Sequence, residues 1–156
     1  MNSYVKRDSR LSSMLHLLLH MAHAGRPLTS EALARMVRSH PVLVRRTLAG
    51  LRERQLVSAE KGHGGGWVLA RPLAAVTLYD VYEALGEPAL FAIGHRQAQS
   101  PCLVEQAVNA ALDQTLAEAE GVLLAGLRAI TLAALSADFN RRAPAACDGR
   151  NHATSQ

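Results

Sequence analysis

Seven residues within a short stretch, Arg38, Ser39, His40, Pro41, Val42, Arg45 and Arg46, combine two adjacent guanidinium groups with a hydroxyl, an imidazole and a proline. A guanidinium is a rigid fork of donors that fits a phosphate or the edge of a guanine, a chemistry of recognition that needs no nucleophile. Proline is tolerated in the first turn of a helix, so Pro41 places this group at a helix start, with Ser39 or His40 as its cap. The free amides and partial positive charge there favour a nearby anion. Further on, Lys61-Gly62-His63-Gly64-Gly65-Gly66 offers two more donors on a loop whose glycines permit positive φ and close approach. That loop lacks the Lys-Ser/Thr ending of a nucleotide-binding P-loop and leads into a strand-like run. Which of Arg45 and Arg46 meets a base edge and which clamps a phosphate is left open by the sequence.

Other reactive side chains are fewer. Cys102 stands at the predicted start of a helix, where the dipole favours thiolate and an oxidation switch becomes chemically reasonable. Its alternative is an ordinary half-buried thiol, and Cys147 is the only other cysteine. His16, His20 and His23 fall at i, i+4 and i+7 of one helix, a spacing compatible with a transition metal. Their face lies opposite Leu15 and Leu18, so solvated or packed histidines are the simpler reading and no metal is assigned. There is no His-Glu-x-x-His, no Gly-x-Ser-x-Gly and no nucleophile–base pair, so no enzyme is expected.

The elements that must position these groups follow from periodicity. Leu11, Met14, Leu15, Leu18 and Met21-Ala22 recur every three or four residues, as on an amphipathic helix that Gly25 ends. Thr29 can cap a short second helix with Leu33, Ala34 and Val37 inward. Val44, Leu48 and Leu51 give the third helix, over 40–54, a single buried face. The period then shortens: Leu56–Ala59 and Trp67–Ala70 flank the glycine-rich loop, the pattern of a hairpin with a 60–67 wing. Trp67 is expected to pack beneath it. Thr77 and Asp80 form a capping-box signature before Val81, Tyr82 and Leu85, with Gly86 closing. No period is evident over 87–101, where Leu90, Phe91 and Ile93 could line a small-molecule pocket. From Cys102 a stripe of Val104, Val108, Leu112, Leu116, Ala119, Leu123, Leu127 and Ile130 predicts one long helix.

Charge divides the 156-residue chain. Residues 1–72 carry 12 Lys/Arg against 4 Asp/Glu, whereas residues 73–156 carry 5 against 9. A basic half joined to an acidic one points to a polyanionic partner for the first. Ala and Leu dominate a composition that is 49% hydrophobic, which favours helices. No apolar run approaches the ~20 residues of a membrane span. The start, MNSYVKRDSR, lacks the apolar core of a secretory leader. A cytoplasmic protein is expected.

The run HPVLVRRTLAGLR, then QLVSAEKGHGGGWVLA, then VTLYDVY resembles the Rrf-two family of bacterial winged-helix regulators, over about residues 10–136. Three helices and a hairpin in this order also make, without the resemblance, a mainly α fold with a small β-hairpin wing: a winged helix-turn-helix over 1–86, a connecting segment over 87–101, a dimerisation helix over 102–138 and, from Pro144 and its polar surroundings, an expected disordered tail over 139–156. The resemblance implies a homodimer on palindromic double-stranded DNA, usually as a repressor; the residues expected to meet that DNA, from their place at the helix start and on the wing, are Arg38, Ser39, His40, Pro41, Val42, Arg45, Arg46, Lys61, His63, Gly64 and Gly65. Cluster-binding members of that family carry three cysteines before and at the start of the long helix. Here Cys102 matches the last and Glu105 stands where some have histidine, so no iron–sulfur cluster or other cofactor is expected. The apolar stripe independently favours a partner helix, its alternative being packing onto the first helix of the same chain. A winged-helix adaptor that binds protein instead of DNA is the alternative; salt dependence separates the two.

Overall fold

The computed structural model describes residues 8–95 and 99–142. α1 (Arg10–Ala24) ends at Gly25, whose φ of 59° is the left-handed conformation glycine adopts without strain. Its core face is Met14, Leu17, Leu18 and Met21. Leu17, absent from the expected stripe, is fully buried, because α1 is covered by β2, α4 and α6 rather than along one seam. α2 (Ser30–Met36) is capped by Thr29, whose hydroxyl accepts from Ala32 N at 3.2 Å. α3 (Pro41–Glu53) begins with Pro41, and of the two candidate caps it is His40 whose Nδ1 accepts from Val42 N, at 3.3 Å.

β1 (Val57–Glu60) and β2 (Gly66–Leu69) form an antiparallel pair running from Val57↔Leu69 to Glu60↔Gly66. Leu28 adds an isolated bridge to the outer side of β2: its N donates to Trp67 O at 3.1 Å, and Trp67 N donates to Leu28 O at 2.8 Å. A Cβ on Gly66 would lie 2.6 Å from Leu28 O, so that approach requires glycine. Trp67 is buried under the wing, and its indole N–H donates to Ser30 Oγ at 3.0 Å. The wing is thereby tied to the start of α2.

α4 (Leu78–Ala84) carries the full capping box: Asp80 N donates to Thr77 Oγ1 at 3.1 Å and Thr77 N to Asp80 Oδ2 at 2.7 Å. Beyond Gly86 the described chain is irregular up to Cys102. His95 Nε2 lies 2.7 Å from Asp113 Oδ1, which fastens this connection to α5 (Leu103–Ala129).

The single helix expected over 102–138 is two. α5 stops at Ala129, and α6 (Leu132–Arg142) follows. Between them, Thr131 bridges to Thr77, with Leu78 N donating to Ile130 O at 3.0 Å and Leu132 N donating to Val76 O at 2.9 Å. Those bonds hold Ile130 extended, and Thr131 Oγ1 caps α6 by accepting from Ala134 N at 3.2 Å. Leu132 is fully buried, so α6 joins the body around α1. Residues 139–142 of the expected tail are helical; residues 143–156, Cys147 among them, lie outside the described residues. No described helix is long and apolar enough to cross a membrane.

Candidate nucleic-acid interface

Val44, Leu48 and Leu51 are buried and fix the roll of α3 on the body. At about 100° per residue, Val42, Arg46 and Ala49 fall within about 50° of the direction opposite that core face, and Arg45 falls about 90° to the side. Val42 is 61% exposed. Arg45 leans toward α2, where its guanidinium meets Glu31 Oε1 at 3.3 Å. Both partners are more than half exposed, so this pair orients more than it stabilises. The Glu31 carboxyl is held below its ordinary value, first by its own backbone amide at the start of α2 and to a smaller degree by Arg45. Arg46 has no ion pair or hydrogen bond among the described residues. At the other end of α3, Arg54 pairs with Glu83 of α4 at 3.1 Å.

The turn into α3 is tight. Arg38 takes a left-handed φ of 51°, and Ser39 N donates to Ala34 O at 2.9 Å. Arg38 and His40 are exposed, while Ser39 and Pro41 are half-buried. At the wing tip Lys61, His63 and Gly64 are exposed. Gly65 differs: a Cβ there would collide with the carbonyl oxygen of Glu60, so the closure of the hairpin itself demands this glycine.

The recognition end of α3 borders a groove of about 270 Å³ lined by Ser9, Ser13, Arg38, Ser39, Leu43 and Thr47, among others. Sequence reasoning missed this groove and the Glu31–Arg45 pair. An acidic residue in the first turn of α2 was a visible signal for the pair; nothing local marked the groove, since its walls come from α1 and the α2–α3 turn. Beside it, Asp8 pairs with Arg10, whose side-chain hydrogen bonds lower the Asp8 pKa to about 2.

The remaining candidates separate. His16 and His20 face each other with Nε2 atoms 2.8 Å apart, while His23 turns to Leu19 O and Asn140 Oδ1. The three therefore do not converge. Partial desolvation, and then the neighbouring His16 and His23, push the His20 pKa down. Cys102 is exposed at the start of α5, its backbone N–H donating to Ser100 Oγ at 3.2 Å. Among the described residues no three His, Cys, Asp or Glu side chains gather as a metal site. One thiol does not fit an iron–sulfur cluster, which takes several thiolates. Phe91 and Ile93 lie on the surface, Ile93 at 64% exposure.

α5 has no buried residue. Val104, Val108, Leu112 and Leu123 are all exposed, and the helix meets the body chiefly through α4, where the Arg128 guanidinium sits 3.9 Å from the Tyr79 ring centre.

Residues 7–138 match the family model Rrf2, described as an iron-dependent transcriptional regulator. The chain is 38% identical over 69 residues to YwgB of Bacillus subtilis, named an HTH-type transcriptional regulator, and this covers 44% of each chain. It is 30% identical over 109 residues to a second such regulator of that organism, YwnA, covering 69% of this chain and 80% of that one. A third relative is a UPF0761 membrane protein of Chromobacterium violaceum, 35% identical over 127 residues that make up 81% of this chain and 26% of that protein. The chain thus spans less than half of the first two. Among solved structures, a transcriptional regulator from Lactobacillus plantarum superposes with a TM-score of 0.69 at 26% identity, covering 86% of this chain and 91% of that one.

Proposed function

The chain belongs to the Rrf2 family of transcriptional regulators, DNA-binding winged-helix proteins rather than enzymes, and from that premise we propose that it is a homodimeric repressor of a palindromic operator. The observation that carries the reading is the outward face of α3: an exposed Val42 and an Arg46 without a partner among the described residues, on a helix held by the buried Val44, Leu48 and Leu51. A major groove about 12 Å wide accepts one such helix. Arg38, Ser39, His40 and Pro41 lie at its leading end, and Lys61, His63 and Gly64 on the wing reach the flanking backbone or minor groove.

Homodimerisation is supported by α5, along which Val104, Val108, Leu112 and Leu123 are exposed among the described residues, while Leu116 and Leu127 are only half-buried. A partner's α5 covers them and sets two recognition helices about 34 Å apart, one turn of DNA. The signal is a small effector or oxidation of Cys102, the exposed thiol at the base of α5. Repression is taken from what the family resemblance implies.

Fluorescence anisotropy on duplex DNA from the protein's own upstream region tests this. Expected is tight binding that falls steeply with salt, since each phosphate contact releases a counterion. Oxidation weakens it in the wild type and leaves Cys102→Ser unaffected if the thiol is the switch; an equal response of both moves the signal to an effector. Salt-insensitive or absent binding favours the adaptor reading.

A further inference from the structure

The sequence leaves Arg45 and Arg46 equivalent; the fold does not, and from it we infer that Arg46 and Val42 read the base sequence while Arg45 contacts only the backbone. The inference rests on the DNA-binding reading above. A groove admits the outermost face of a helix to the base edges and leaves its flanks against the two phosphate walls. Val42 and Arg46 occupy that outermost face, opposite the buried Val44, Leu48 and Leu51. Arg45 lies on the flank, steered toward α2 by Glu31 at 3.3 Å.

The chemistry of each side chain then names its target. A guanidinium aimed into the groove pairs bidentately with O6 and N7 of guanine. Val42 has no polar atom and is 61% exposed, an apolar surface that suits the C5 methyl of thymine. The two are one helical turn apart, with Cβ atoms about 5–6 Å from each other, whereas successive bases are about 3.4 Å apart. Each half-site therefore carries a thymine and a guanine one or two steps apart. Ala49, next on the same face, is too short to add polar readout. Glu53 lies on the same face about 16 Å beyond Val42 and opposes phosphate, which confines insertion to the first half of α3.

The test selects half-sites from random duplex DNA with wild-type protein, Arg45→Ala, Arg46→Ala and Val42→Ala, then measures each Kd by anisotropy. Expected is a wild-type consensus with thymine and guanine at that spacing. Arg46→Ala costs about 10- to 100-fold on the consensus and loses preference at the guanine alone. Replacing the thymine by deoxyuridine, which lacks the methyl, weakens the wild type about three- to fivefold and leaves Val42→Ala unchanged. Arg45→Ala weakens all sequences alike and lowers the salt slope by about one. Uniform weakening by Arg46→Ala, or relaxed preference in Arg45→Ala, overturns the assignment. A wild type that selects no consensus overturns the DNA-binding reading beneath it instead.

Discussion

The winged-helix body and α5 are both rich in Leu, Val and Ala, yet they treat those residues in opposite ways. In the body Leu17, Leu18, Leu33, Leu48 and Leu51 are fully buried, whereas the 27 residues of α5 include none that is buried. The body closes its core within one chain; α5 carries an apolar face that the described residues leave largely exposed. Exposed apolar surface of this kind marks an interaction face, so the composition of a helix says less about its role than what lies within reach of it.

Four experiments break or sharpen this contrast. The largest effect is expected from Val108→Asp with Leu123→Asp, two exposed positions of α5. Sedimentation should show a monomer, and operator affinity should fall about 10²- to 10⁴-fold as the second half-site stops being tethered. The body should still melt cooperatively, and its Tm should cease to depend on protein concentration. A dimer that survives both charges would place the interface elsewhere. Leu48→Ala, in the closed region, should cost about 2–5 kcal/mol in denaturant unfolding because a cavity opens beneath α3. Thr77→Ala removes the hydroxyl of the capping box and should cost about 1 kcal/mol.

The smallest effect concerns pH. His20 has a pKa lowered from 6.5 by burial first and by its histidine neighbours next. The unfolded chain therefore binds the proton more readily, and this contribution to stability declines as pH falls below 6.5. Melting curves between pH 7.5 and about 5.5 should show a decline that His20→Gln makes shallower. Equal slopes for the two proteins would remove His20 from the account.

Much of the body was legible because its signals are local. Thr29 and the Thr77–Asp80 pair mark boundaries through bonds that span a few residues, and Gly25 and Pro41 through the backbone angles their residue types favour; the structure has all four. The wing followed from a change of period around a run of glycines. At Gly65 the structure adds a local reason for glycine that the sequence does not show, the approach of the Glu60 carbonyl. The break after Ala129 was not legible: the α5 stripe runs on into Ile130, and what interrupts it is Thr77, far back in the chain.

By itself, then, the sequence determined the order of the elements as far as α5, the third helix with its arginines, the wing and the apolar stripe of α5. Each depends on spacing along a helix or strand, which residue order states directly. Only the tertiary structure decided that Leu28 joins β2, that α6 returns to the body, and that Arg45 meets Glu31 of α2. These outcomes rest on hydrogen bonds and packing between distant segments, whose partners are chosen by the whole core and not by their neighbours in the chain.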